Sequence, residues 1–126
     1  MANKTGDAVS LTLNGTRFAC AKDIEPLVDK GGRKITESQG YGDGTSDGYV
    51  GVVVPSISGL KVKVSEENRD AFEAALGNPA MPIVYETVGS TYELTGYIAG
   101  EVKVSTTKKL SDEFTVYATD GSIRES

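Results

Sequence analysis

Val9-Ser10-Leu11-Thr12-Leu13-Asn14-Gly15-Thr16-Arg17-Phe18-Ala19-Cys20 decides the fold class. On either side of Asn14-Gly15 the residues alternate apolar and polar with the period of a half-buried strand. Asn-Gly is the dipeptide that favours a two-residue type I′ turn, since both central positions need a positive φ. Pairing across that turn sets Leu13 opposite Thr16, Leu11 opposite Phe18 and Val9 opposite Cys20. The apolar side chains of both strands then share one face, so the register agrees with the burial pattern. Cys20 becomes a small buried hydrophobe, with no base nearby in sequence to make its thiol reactive.

Downstream, Asp23 to Val28 is an extended piece broken by Pro26, Lys30-Gly31-Gly32 a turn, and Arg33 to Ser38 a polar strand. Gln39 to Gly48 holds four glycines, too many for a favourable helix or strand, and is expected to be a loop. Tyr49-Val50-Gly51-Val52-Val53-Val54 is β-branched on both faces and predicts a strand covered on both sides. Leu60 to Val64 alternates, with Pro55 and Gly59 marking a break between the two segments. One helix is expected between Ser65, as its cap, and Gly77-Asn78-Pro79, as its stop. Glu66 and Glu67 would stand in its first turn, and Val64, Asn68, Ala71, Phe72, Ala75 and Leu76 on its packed side. Strands follow over Pro82 to Val88, Thr91 to Val104 with interruptions at Gly96 and Gly100, and Ser111 to Ala118. The order predicts one mainly β domain over residues 1–126, a small antiparallel barrel or sandwich with one flanking helix. Residues 1–7 are read as a flexible arm and residues 119–126 as a polar tail.

Composition narrows function mostly by exclusion. The 126 residues include no His, no Trp and one Cys, and carry a formal charge of −5. Zinc sites built on His or paired Cys, His-based acid–base catalysis and a disulfide framework within one chain are excluded. The acidic balance offers no general grip on nucleic-acid phosphates. No apolar run suits a membrane span and Met1 to Asp7 lacks a signal-peptide core, so membrane insertion is not expected. Gly40-Tyr41-Gly42-Asp43-Gly44 has no lysine and no following helix, which argues against a phosphate cradle. Asp43, Asp47 and Gly48 leave a calcium loop incomplete. Ser56, Ser58 and Ser111 have no histidine to activate them. Neither an enzyme nor a cofactor is expected.

The arrangement of the parts resembles a known family. Leu13-Asn14-Gly15-Thr16-Arg17-Phe18 opens the chain and Gly31-Gly32-Arg33 leads to the glycine-rich segment. A valine-rich strand with Pro55-Ser56-Ile57-Ser58-Gly59 and a helix over Glu66 to Leu76 follow. Tyr92-Glu93-Leu94-Thr95-Gly96-Tyr97-Ile98-Ala99-Gly100 and Ser105-Thr106-Thr107 precede the last strand. This layout, over nearly the whole chain, resembles the tail tube proteins of contractile-tailed bacteriophages, whose architecture is related to the tubes of type VI secretion and pyocins. The resemblance implies a structural virion protein, assembled in the host cytoplasm into the tail. Hexameric rings stack into an inner tube that conducts double-stranded DNA during genome ejection. The implied partners are further copies of the chain, a sheath, a baseplate and a tape-measure protein.

In such a tube the segment Gly40, Tyr41, Gly42, Asp43, Gly44, Thr45, Ser46, Asp47 and Gly48 would reach the adjacent ring. Glu86, Glu93 and Glu101 are candidates to line the lumen, where six subunits at −5 each bring −30 charges to a ring that must not adhere to DNA. Their alternative place is the outer surface. A competing reading is a monomeric β-sandwich that binds a partner or decorates a capsid, using Tyr41 and Tyr49 as exposed aromatics.

Overall fold

A computed structural model describes residues 8–126, so the arm expected over residues 1–7 lies outside the described residues. The opening hairpin forms as the sequence predicts. Strand β1 (Ala8–Leu13) pairs antiparallel with β2 (Thr16–Ala19), with Leu13 opposite Thr16 and Leu11 opposite Phe18. Asn14 and Gly15 take φ of 49° and 89°, as a type I′ turn requires. Cys20 N–H donates to the carbonyl of Val9, and Leu11, Leu13 and Phe18 are buried.

The remaining elements are β3 (Leu27–Asp29), β4 (Gly32–Gly40), β5 (Ser46–Val53), β6 (Ser56–Leu60), α1 (Arg69–Leu76), β7 (Met81–Thr87) and β8 (Thr91–Ala99). They are followed by β9 (Val104–Ser105), β10 (Leu110–Ser111), β11 (Phe114–Ala118) and β12 (Arg124–Glu125). The main antiparallel sheet runs β2-β1-β7-β8-β11-β6-β3, with β12 also on β8; β4–β5 and β9–β10 form separate two-stranded sheets. The chain is mainly β, but the sheet does not close into a barrel, because its hydrogen-bonded path ends at β2 and β3. Backbone bonds from Ala21 to Lys61 and from Lys63 to Ala19 draw the flanks together at one end.

One apolar cluster packs against the sheet, with Phe72 of α1 at its centre of aromatic contacts. Its ring meets Phe18 at 5.5 Å and Phe114 at 6.0 Å, both edge to face. An eight-residue helix is marginal alone, so this packing holds it in place. The expected cap is displaced. The helix starts after Asn68, whose side-chain oxygen accepts the N–H of Ser65 at 2.7 Å, and Glu66 and Glu67 lie in the preceding turn. The first-turn acid is Asp70. The C-terminal tail is also more structured than its polarity suggests. Ile123 enters the core, and β12 sets Arg124 opposite Glu93 and Glu125 opposite Tyr92.

The largest departure from expectation is in the glycine-rich half. Lys30-Gly31-Gly32 does not reverse the chain. Leu27 faces Ser58, Asp29 faces Ser56, Gly32 faces Val53 and Ile35 faces Val50, so each step along one strand is one step back along the other. Strands β3–β4 and β5–β6 are therefore one long antiparallel ribbon, interrupted at Lys30-Gly31 and Val54-Pro55. Pro55 has no N–H to give. Gly31 sits at φ of 68°, where a Cβ would collide with the Val53 carbonyl and lie 2.8 Å from Pro55 N, so only glycine fits.

Candidate functional site

The distal half of that ribbon, β4 with β5, stands apart from the core. All of β4 is exposed, and β4 and β5 are hydrogen-bonded only to each other. Nine residues at about 3.3 Å each give it a reach of roughly 30 Å. A lone two-stranded hairpin is marginally stable in water at best.

Its two faces differ. Val50 and Val52 alternate onto one face, joined by Ile35 opposite Val50 and Arg33 opposite Val52. Val52 is 79% exposed and Val50 62%, with Ile35 at 61% and Val54 at 51%. Burying each such side chain is worth about 1.5–3 kcal/mol. The other face is polar, pairing Lys34 with Gly51, Glu37 with Tyr49 and Gln39 with Asp47. A bulge at Thr36 shifts the register by one toward the tip. The coverage on both sides expected for Tyr49 to Val54 is absent among the described residues. β-Branched residues on two faces show that a strand suits burial, not that its own chain supplies the cover.

The expected loop, Gln39 to Gly48, is mostly strand and a tight tip. Gly40 and Ser46 to Gly48 belong to β4 and β5, leaving Tyr41 to Thr45 as the turn. Tyr41 N–H donates to the Thr45 carbonyl at 2.8 Å and Gly44 N–H to the Tyr41 carbonyl at 3.1 Å. Asp43 accepts from the Thr45 N–H and, at 2.6 Å, from its hydroxyl, and these bonds lower its pKa. The Tyr41 hydroxyl donates to Asp47 at 2.7 Å, which raises the tyrosine's pKa, with a smaller contribution from Tyr49. Local side-chain bonds to short polar residues make this tip an ordered structure, a possibility that glycine counting misses.

The three candidate lumen acids do not form one group. Core-facing Ile83 and Tyr85 on β7 and Leu94 and Ile98 on β8 put Glu86 and Glu93 on the opposite, outer side of the sheet. Glu86 stands between Ser10 and Thr91, and Glu93 between Val84 and Arg124. The Arg124 guanidinium lies 3.9 Å from the Glu93 carboxylate, which partly offsets that charge. Glu101 follows the end of β8 and belongs to no strand, contrary to the expectation of a strand running to Val104.

Sequence reading singled out the tip but not the feature that makes the ribbon unusual, the exposure of its valines. The constant register across Lys30-Gly31 was hidden by the glycine pair, which reads as a turn. Cys20 is half-buried against the core, and burial pushes its thiol up to about 11 against a smaller pull from Arg17. No group of three or more metal-ligating side chains is present among the described residues. No family model, curated protein or solved structure matches the chain.

Proposed function

We propose that the chain is a self-assembling structural subunit, a tail-tube-like protein whose hexameric rings stack into the inner tube of a phage tail and conduct double-stranded DNA. The observation that carries this reading is the β4–β5 ribbon. It projects about four aliphatic side chains into water on a hairpin that the described residues leave uncovered, an arrangement suited to completion by a neighbour. The open sheet supports the same reading, since β3 and the part of β2 before its bonds to Lys61–Lys63 leave edges at which neighbouring sheets can join into a continuous barrel. In that assembly the tip from Gly40 to Gly48 meets the adjacent ring, and Glu86 and Glu93 contribute to a wall that repels phosphate. The implied surroundings are a sheath, a baseplate and a tape-measure protein in a virion tail.

Negative-stain microscopy of concentrated protein tests this. Long uniform tubes are expected, and a monomer at every concentration would remove the reading. Deleting Gly42 to Ser46 is expected to leave the subunit folded and stop tube growth; unfolding of the isolated subunit would remove the tip's role in stacking.

A second reading has one specific observation in its favour. Tyr41 and Tyr49 are both about half exposed and sit together at the tip, as a monomeric binding or capsid-decoration module would present its aromatics. A stable monomer that binds capsids, with binding lost in Tyr41→Ala, would favour it.

A further inference from the structure

We propose that the apolar face of the ribbon docks into the groove at the C-terminal end of α1 on a second copy of the chain. This rests on the self-assembly reading and adds to it the surface that receives the ribbon.

The receiving surface is an open groove of about 310 Å³ lined by Leu76, Gly77, Asn78, Pro79, Tyr97 and Ile98. Its walls are mostly aliphatic or aromatic, which suits the side chains of Ile35, Val50 and Val52. Asn78 is occupied locally, its side-chain oxygen accepting the Ala80 N–H at 3.1 Å. The groove thus lacks the convergent polar groups that orient a small molecule.

Charge matches as well. α1 carries no basic residue in its last turn, so the partial negative charge of its terminal carbonyls has no side-chain counter-charge from the helix. On the ribbon, Lys30 is paired with Glu125 and Lys34 with Asp29, each at 2.6 Å, whereas Arg33 has no ion pair among the described residues. Arg33 lies opposite Val52 on the apolar face. A ribbon seated in the groove brings that guanidinium toward the helix end.

Donor and acceptor are different places on one molecule. Ser56, at the foot of the ribbon, faces Tyr117, which faces Tyr97 of the groove, two strand spacings or roughly 10 Å away. The valine face lies further out, beyond Pro55. Repeated head to tail, such a contact generates a ring or a filament, whereas reciprocal exchange between two copies would close a dimer and give no cross-linked species beyond it. Four aliphatic side chains fall well short of a standard interface, so each contact is weak and the assembly depends on concentration and multiplicity.

Cysteine cross-linking tests the pairing. A chain carrying both Val52→Cys and Pro79→Cys is concentrated, oxidised mildly and run on a denaturing gel without reductant. A ladder of dimers, trimers and higher species is expected, at least tenfold stronger than for either single variant or for the unmodified chain. Assemblies seen by microscopy without a ladder would overturn the proposed acceptor and leave self-assembly standing. No assembly of the unmodified chain at any concentration would overturn both. As a second readout that does not depend on cysteine geometry, Arg33→Glu is expected to raise the concentration needed for assembly severalfold, with thermal unfolding of the monomer unchanged. An unchanged threshold would count against the helix-end contact.

Discussion

The two halves of the long ribbon share a register and differ in everything else. In the proximal half, β6 lies against β11 and buries Ile57 and Leu60 completely. In the distal half, β5 carries Val50 and Val52 into solvent. Both halves carry aliphatic side chains, Leu27, Val28, Ile57 and Leu60 in one and Ile35, Val50 and Val52 in the other, so apolar content alone does not separate them. What separates them is a third strand. A two-stranded ribbon has no interior until something lies against it; pairing with β11 ties the proximal half into the main sheet and its apolar cluster, and no such tie holds the distal half among the described residues.

The sharpest way to break the comparison is to truncate one residue in each half. Ile57→Ala is expected to cost about 2–5 kcal/mol of folding stability, because it empties a packed site. Val52→Ala is expected to change the monomer by no more than about 0.5 kcal/mol, since the side chain is mostly wet already. Urea unfolding at a concentration where the protein is monomeric measures both. Similar losses at the two positions would mean that the distal half is covered in solution.

The junction between the halves comes next. Gly31→Ala is expected to cost about 1–3 kcal/mol, since the left-handed backbone at Gly31 is strained for alanine and the new Cβ meets the Val53 carbonyl and the Pro55 ring. Gly32→Ala should cost less, because φ is 92° there but a Cβ has open space. Equal costs would show that backbone conformation, and not contact across the ribbon, holds the junction.

Alkaline pH separates the core from the ribbon in another way. Burial raises the Cys20 pKa to about 11 and that of Tyr85 to about 12, so the folded state favours the neutral forms. The unfolded chain ionises first, near the ordinary values of about 8.5 for Cys and 10 for Tyr. The stabilisation is therefore fully present below about pH 8 and is lost as pH rises toward 12. The urea midpoint is expected to fall between pH 8 and 11, and Tyr85→Phe should flatten that fall. Alkylation of Cys20 at pH 8 is expected to be slow in the folded protein and fast in urea.

How much of this was legible in the sequence depends on whether the deciding interaction was local. Asn14-Gly15 with its alternating flanks specifies its own register, and the hairpin forms as read. Phe72, placed by helical spacing on the packed side of α1, is buried as expected. Ser65 was read as the cap, but Asn68, three residues later, accepts its N–H and shifts the helix start. Ile123 lies in a polar stretch, and its burial depends on β12 finding the free length of β8 beyond β11, a long-range event with no local signal. The valines of β5 marked a strand correctly, but their exposure depends on cover that the described residues do not provide at that place. For the site, the tip residues were found by glycine content, while the ribbon that carries them required the register of β3 with β6.

The smallest expected effect concerns the foot of the ribbon. Lys30 donates to the Glu125 carboxylate at 2.6 Å, joining the residue before Gly31 to the C-terminal strand. That bond raises the Lys30 pKa and lowers that of Glu125, and both groups face water. An exposed pair of this kind contributes little to stability and is screened by salt. Because the folded-state pKa of Glu125 is depressed, its share is present at neutral pH and is lost as the carboxylate protonates below the ordinary glutamate range of about 4.3. A double-mutant cycle of Lys30→Ala and Glu125→Ala is expected to give a small coupling at low ionic strength that vanishes in 0.5 M salt, where the Debye length is about 4 Å. A coupling that survives high salt would mean that the two residues hold the ribbon's foot by packing. The two halves would then move as one body, and the ribbon would meet a neighbour at a fixed angle set by β12. A coupling that disappears leaves Gly31 and Pro55 as the joint on which the distal half takes its orientation from whatever covers it.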